Sequence, residues 1–233
     1  MSLRLEARHC GKVWVLRCHG RIVIGENTVA LQKTISGAAL EFSRMVINLA
    51  DVEKVDSSGM GMLMRFLTHA RRKGGDLRVA APARFFKELL QLTLLDSIVK
   101  VYESEDDAIA SFLQEPALIS GILTQPGRVV LFVDQSPDLG AFVRSLLGQN
   151  GFEVLSATLL SDARLLLTAS RVDFIILIAE ASKLPEDSVI SSLESRAPGV
   201  TVLQLPADFR KKDADEAGRI LLDAVGAGPA SQA

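Results

Sequence analysis

The sequence predicts an α/β protein made of two units, each with a sheet covered by helices. Short apolar runs typical of strands alternate with longer segments whose apolar residues recur every three or four positions. Two runs, Met45 to Leu49 and Val129 to Val133, are almost entirely apolar, as in strands covered on both faces. With 233 residues, 48% of them hydrophobic, the chain is long enough to bury two ordinary cores.

In the first half, two alternating strands flank a turn at Gly11, and strands and helices then alternate. The predicted strands are Leu3 to Arg8, Val13 to Cys18, Met45 to Leu49, Leu77 to Ala80 and Ile98 to Tyr102. The predicted helices are Glu26 to Ser36, Gly59 to Lys73, Arg84 to Leu92 and Glu105 to Leu113. The pair Gly74-Gly75 ends the second of these helices.

A change in composition divides the chain. The stretch 114–127 contains two prolines and two glycines, so we predict a first domain over 1–114 and a linker over 115–127. A second domain over 128–226 and a disordered tail over 227–233 follow. Its predicted strands are Val129 to Asp134, Glu153 to Leu155, Phe174 to Ile178 and Thr201 to Leu205; its helices include Asp138 to Gln149, Ser161 to Ser170 and Glu216 to Val225. This alternation predicts a parallel sheet.

The bulk properties exclude several classes of function. A net charge of −2 gives no reason to expect nucleic acid or a membrane surface as a partner. No apolar run approaches the roughly 18 residues of a transmembrane helix, and the N-terminus lacks the apolar stretch of a signal peptide. We therefore expect a soluble, cytoplasmic protein.

The paired motifs His9-Cys10 and Cys18-His19 look like a metal site, but hairpin geometry argues against one. A turn near Gly11 is expected to pair Cys18 with about Leu3, which separates the two motifs by roughly 20 Å at about 3.3 Å per residue. We predict no metal and two reduced thiols.

The most informative motif is Asp56-Ser57-Ser58-Gly59, which follows the Met45 to Leu49 strand and opens a helix. Helix N-termini present unpaired N–H groups and the positive end of the helix dipole. A phosphate on a serine there is compatible with the fold, so it can serve as a signal. The alternative interpretation is that Ser57 or Ser58 is only an N-cap.

The motif belongs to an ordered set of segments along the first half of the chain. They are Gly20-Arg21-Ile22, Val46 to Val52, Val55 to Gly61, Gly74 to Leu77, Leu89 to Thr93 and Asp107 to Phe112. This set resembles the STAS domain of the anti-sigma factor antagonist family. The resemblance implies a mixed sheet of four to five strands with helices over residues 1–114.

The resemblance also implies a function. Ser58 corresponds to the serine phosphorylated by a partner that is both anti-sigma factor and serine kinase, of the histidine-kinase-like ATPase type; Ser57 is a weaker candidate. Phosphorylation releases the antagonist, and a PP2C-type phosphatase resets it. The residues expected to contact the partner are Asp56, Ser57, Ser58, Gly59, Met60, Gly61 and Met62.

Physical arguments bear on this expected contact surface. Asp51, Glu53 and Asp56 make it acidic in sequence, so an added phosphate would repel an acidic partner. The glycines would allow close approach of a partner backbone. Methionines suit adaptable contact surfaces, although core packing is the other interpretation of Met60 and Met62.

Residues 128–226 resemble a response-regulator receiver domain, which implies a flavodoxin-like parallel sheet. The match departs from the family at the site. Asp134-Gln135 offers one carboxylate where receivers have an acidic pair, and Ile178 stands where the phosphoryl-accepting aspartate belongs. A shifted alignment brings Glu180 close, but glutamate is not a usual acceptor. We predict a degenerate receiver used for protein contact, either self-association as a homodimer or adaptor binding.

The leading hypothesis is therefore a regulatory binding protein, not an enzyme, without cofactors, nucleic acid or membrane as direct partners. No HExxH, GxxxxGK[ST] or GxSxG motif occurs. Two alternatives stay open. One is a STAS scaffold or subunit, as in stressosomes or lipid transport, and the other is a two-component response regulator acting through the second domain.

Overall fold

The computed structural model describes residues 3–114, 128–178, 186–197 and 199–226. The chain divides into two compact units, Met1–Glu115 and Pro116–Ala233. The predicted linker over 115–127, the predicted tail over 227–233 and Glu180 lie outside the described residues. Among those residues, no helix is long and apolar enough to cross a membrane.

The described residues of the first unit form five strands and four helices. The strands are β1 (Arg4–Cys10), β2 (Val13–Ile22), β3 (Arg44–Val55), β4 (Asp76–Ala80) and β5 (Lys100–Tyr102). The helices are α1 (Glu26–Glu41), α2 (Ser57–Arg72), α3 (Arg84–Leu92) and α4 (Glu105–Gln114). The strand order is β5-β4-β3-β2-β1. Only β1 and β2 run antiparallel within this set, so the predicted mixed sheet is confirmed.

The β1–β2 hairpin differs from the predicted register. Cys10 pairs with Val13 across a two-residue turn that places Gly11 at φ 57°, and Cys18 therefore lies opposite Leu5, not Leu3. The register follows from the short turn, which favours a glycine at positive φ. The motifs His9-Cys10 and Cys18-His19 still lie about five residues apart along the hairpin, or roughly 17 Å. Both thiols are free and buried, and burial raises the pKa of Cys18 to about 12.

Strand β3 is longer than predicted and determines where the motif lies. The apolar run predicted only Met45 to Leu49, but the strand continues beside β2 to Val55 through two register shifts. Val52 and Val55 are buried there, whereas Asp51, Glu53 and Lys54 are exposed, so this end of the strand is not covered on both faces. The extension brings Asp56 directly to the end of the strand.

Two faces of this sheet are packed differently. Leu16, Ile47 and Leu77 join residues of α1, α2 and α3 in one core cluster. Side chains alternate along a strand, so neighbours such as Asn48 and Arg78 project to the other face, where both contact α4. Helix α2, which begins in the Asp56-Ser57-Ser58-Gly59 motif, and helix α4 thus lie on opposite sides of the sheet.

The second unit contains four described strands, all parallel, in the order β7-β6-β8-β9. They are β6 (Val129–Val133), β7 (Glu153–Ala157), β8 (Phe174–Ile178) and β9 (Thr201–Leu205). The helices are α5 (Pro137–Gln149), α6 (Leu160–Ala169), α7 (Glu186–Glu194) and α8 (Ala214–Ala224), with a short 3-10 helix at Ala207–Lys211. Val130, Phe132 and Ile176 form a core with residues of α5 and α8.

Candidate functional site at the start of helix α2

Asp56 is the N-cap of α2. Its backbone is extended (φ −96°, ψ 179°), and the helix begins at the next residue. The Gly59 N–H donates to the Asp56 Oδ1 atom at 2.9 Å. This bond satisfies one of the N–H groups that a helix start leaves without an intrahelical partner. The interpretation of Ser57 or Ser58 as the cap is therefore wrong, because the aspartate holds that position.

The second oxygen of Asp56 stabilises the neighbouring loop. The Ile24 N–H donates to Oδ2 at 2.8 Å, and the Asp56 N–H donates to the Ile22 carbonyl at 3.2 Å. The hydrogen bonds from Gly59 and Ile24 hold the pKa of the Asp56 carboxyl below its usual value. The ionised Asp56 side chain accepts a hydrogen bond on each oxygen and thereby links the start of α2 to the loop at Ile24.

Ser57 and Ser58 occupy the first and second positions of α2, and both are exposed. No partner for the Ser58 hydroxyl is found in the part of the chain that the structure describes. The side chain of Ile24, whose backbone is bound to Asp56, is 76% exposed beside this turn. The result is an accessible hydroxyl at a helix N-terminus, next to an exposed apolar side chain.

The structure corrects the role expected for Gly59. A Cβ atom at this position would come within 2.7 Å of the Ile22 carbonyl oxygen and 3.1 Å of the Val55 Cγ1 atom. Gly59 is buried, so its missing side chain allows α2 to pack against strands β2 and β3, not a partner backbone to approach. Gly61 is different: it is exposed, and a Cβ there would meet no atom within 4 Å.

The structure also corrects the role expected for Met60 and Met62. The two methionines are 6% and 2% exposed and belong to the core cluster of the first unit. They cannot contact a partner without leaving that core, so core packing is the right interpretation. Of the seven residues expected at the contact surface, Ser57, Ser58 and Gly61 are exposed, and Asp56 is half-buried.

A second polar cluster in this unit was not predicted. Glu105, at the start of α4, accepts hydrogen bonds from Asn48 at 2.5 Å, Arg8 at 2.5 Å and Arg17 at 3.1 Å. Burial raises the pKa of this carboxyl, but the bonds from Asn48 and Arg8 outweigh it and keep the pKa below its usual value. The partners come from β1, β2 and β3, far from Glu105 in sequence, so no local pattern indicated the cluster.

Asp134, one of the expected receiver positions of the second unit, forms an ion pair with Arg210. The Asp134 side chain is fully buried at the end of β6; it accepts from the Ser136 N–H at 2.8 Å and from Arg210 at 2.5 Å. Gln135 is exposed, and Ile178 is 2% exposed at the end of β8. Arg210, from the 3-10 helix, was missed because it lies 76 residues from Asp134 in sequence.

Comparison with known proteins finds similarities to the first unit. Residues 4–108 match the family model of the STAS domain. A Thermotoga maritima protein named as an anti-sigma factor antagonist is 31% identical over 68 residues, which are 29% of this chain and 60% of that protein. The anti-sigma F factor antagonist of Paenibacillus polymyxa is 24% identical over 110 residues, 47% of this chain and 94% of the relative.

Among solved structures, an anti-sigma factor antagonist from Mycobacterium paratuberculosis matches with 24% identity and a TM-score of 0.44, over 47% of this chain and 93% of that one. The chain spans 60% of the length of the Thermotoga maritima relative. The N-terminal region is thus similar to the STAS domain and, in sequence, to anti-sigma factor antagonists.

Proposed function

We propose that this protein is an anti-sigma factor antagonist whose binding to an anti-sigma factor is switched off by phosphorylation of Ser58. The observation that carries the proposal is the exposed Ser58 hydroxyl at the second position of α2, beside an aspartate that already caps the helix. Because Asp56 supplies the cap, a phosphate on Ser58 removes no hydrogen bond on which the helix depends. The partner is an anti-sigma factor with serine kinase activity, and a PP2C-type phosphatase reverses the reaction.

The local physics supports release without unfolding. A phosphate adds about −1.5 to −2 charge, and a helix N-terminus favours negative charge. The folded domain can therefore carry the group. In a tight interface the same charge must lose its water, and it lies beside the ionised Asp56 carboxylate, which raises that cost. The cost falls on the complex and not on the free protein.

The second unit, in this proposal, is a receiver-like module that makes protein contacts and accepts no phosphoryl group. The single carboxylate at this position, Asp134, is buried and bound to Arg210. A receiver needs ionised carboxylates free to hold Mg²⁺ and an aspartate as acceptor. Treatment with acetyl phosphate and Mg²⁺ should leave the unit unmodified; acid-labile phosphate at one equivalent would refute this part.

The main test is phosphosite mapping on the full chain. The protein is incubated with ATP and the histidine-kinase-like serine kinase encoded nearest to it, and then measured by intact and tandem mass spectrometry. We expect one phosphate, lost in Ser58→Ala and retained in the matched control Ser57→Ala. After incubation with ATP, the wild type should bind the kinase more weakly, whereas the binding of Ser58→Ala should not change. Tight binding without any phosphate would instead support a STAS scaffold.

A further inference from the structure

The exposed face of α2 carries more than Ser58. Residues seven apart on an α-helix lie on nearly the same face, so Ser58, Arg65 and Arg72 form one line with Gly61 and His69 beside it. All five are exposed. At a rise of about 1.5 Å per residue, Arg65 lies about 10 Å and Arg72 about 21 Å from Ser58 along the helix. We call Arg65, His69 and Arg72 the basic face.

This face has the opposite charge to the one expected from the acidic residues before Ser58. Helix α2 contains three arginines and no acidic residue. Arg71 already has partners in its own unit: it donates to Asp76 at 3.0 Å and to the Ile98 carbonyl at 2.7 Å. Arg65 and Arg72 have no ion pair with any residue that the structure describes. Their guanidinium groups are therefore available to carboxylates from outside.

A groove runs beside the basic face. One cavity of about 380 Å³ lies between α1 and α2, lined by Gln32, Ser36, Ala39, Arg65, Phe66 and His69. A second depression of about 410 Å³ follows α2 past Arg65, Thr68, His69 and Arg72. Arg65 and His69 line both. The groove can seat an extended segment whose acidic side chains meet the arginines.

We propose that the basic face docks an acidic segment of the protein that phosphorylates Ser58. The inference rests on the proposed function and extends it by assigning the chemistry of the docking segment. Such a segment, lying along α2 with its carboxylates on Arg72 and Arg65, ends beside the Ser58 hydroxyl. A phosphate there adds negative charge next to bound carboxylates, which accounts for release.

The test compares two double variants that change the charge equally. Arg65→Glu/Arg72→Glu reverses the basic face, while Arg84→Glu/Lys87→Glu makes the same change on α3, where both residues form exposed ion pairs. Affinity for the kinase is measured at two salt concentrations. We expect the first variant to bind about tenfold more weakly or worse, with a reduced salt dependence, and the second to bind as the wild type does.

Additional readouts separate failure of docking from failure of the proposed function or of folding. Arg72 lies in the last turn of α2, where the helix dipole favours a positive charge and disfavours a glutamate. Arg65→Gln/Arg72→Gln therefore provides a milder variant. Trp14 fluorescence checks its fold. In NMR spectra of the full chain, a hexaglutamate peptide should shift α2 signals, whereas a hexalysine peptide should not. Ser58 phosphorylation with unchanged kinase affinity in both arginine variants would overturn docking but keep the switch. No α2 shift with hexaglutamate would also overturn it.

Discussion

Each unit has an aspartate directly after a buried strand and before a helix, and the two aspartates have opposite roles. Asp56 follows β3, and α2 begins at the next residue; Asp134 follows β6, and α5 begins three residues later. In the first unit the acid caps the helix and the serines are exposed. In the second, Ser136 caps the helix by accepting from the Leu139 N–H at 3.3 Å, and the acid is buried against Arg210.

In these two sites, the number of residues between the strand end and the helix start decides which side chain meets the helix N–H groups. With one intervening residue, the acid itself reaches them, and the next hydroxyls point to solvent. With three, the acid stays at the sheet edge and needs a cation, because a buried carboxylate without a partner is costly. The first arrangement leaves two serines exposed at the helix start, and the second leaves a carboxylate paired with Arg210.

The largest effect is expected from Arg210→Ala. This change leaves the buried Asp134 carboxylate without its cation; because the Arg210 side chain is 43% exposed and water can replace it in part, we expect the C-terminal unit to lose about 2 kcal/mol of its free energy of unfolding. Hydrogen exchange of β6 and β8 amides in the full chain measures the loss. The matched control is Arg171→Ala, whose side chain is 90% exposed near Asp173 and should cost less than about 1 kcal/mol. Equal effects of the two variants would contradict the buried-pair argument.

Next in size is Asp56→Ala, which removes the cap of α2 and the acceptor for the Ile24 N–H. We expect a loss of about 1–2 kcal/mol. Ser58→Ala should change stability by less than about 0.5 kcal/mol, since its side chain is exposed. Trp14, the single tryptophan, is buried in the first unit, so its fluorescence during denaturant unfolding reports on this unit. A larger loss from Ser58→Ala than from Asp56→Ala would reverse the assignment of the cap.

In the second unit the serine, not the aspartate, caps the helix, so here a serine-to-alanine change should lower stability. Ser136→Ala removes the cap of α5, and we expect a loss of about 0.5–1 kcal/mol, at the lower end because the hydrogen bond is long. Hydrogen exchange of the first turn of α5 measures it, with Ser145→Ala, on an exposed position of the same helix, as the control. If Ser136→Ala matches that control, the comparison between the two helix starts fails.

The smallest effect concerns pH. Because the pKa of Asp56 is lowered in the folded state, its charge stabilises the domain above the unfolded pKa of about 3.9, and this contribution is lost as pH falls through the folded pKa. Asn caps helices nearly as well as Asp but does not titrate. The stability of the wild type relative to Asp56→Asn should therefore decline below about pH 4. A constant difference, measured by Trp14 fluorescence, would show that the charge has no role.

Most elements could be predicted from the sequence, because strand and helix periods are local. Helix α3 and strands β8 and β9 match their predicted bounds, and the others differ by a few residues at one or both ends. The largest error, the length of β3, arose where one face of the strand becomes exposed and the continuous apolar signal stops. The Cys18 pairing was misplaced by two residues because turn length was not fixed by Gly11 alone.

The candidate site was predicted only in part, because local sequence patterns place a helix start but not its contacts with distant strands. The sequence indicated a helix starting near Ser58 after a buried strand, and both serines are exposed there. It left Met60 and Met62 between partner contact and core packing, because methionine suits both, and only the packing of α2 on the sheet places them in the core. The close approach of Ile22 to Gly59 depends on β2, which lies more than thirty residues earlier in the chain.

What the sequence determined by itself was the two-unit α/β organisation, the order of most elements and a serine at a helix start. These depend on the spacing of apolar residues and on helix punctuation within short windows. The tertiary structure was needed to show that Asp56 binds the Ile24 N–H, that Arg210 pairs with Asp134, and that Arg65 and Arg72 form no ion pair with the residues the structure describes. Each of these depends on which charges and N–H groups the folded sheet brings within bonding distance, and burial makes such pairings necessary where water cannot replace them.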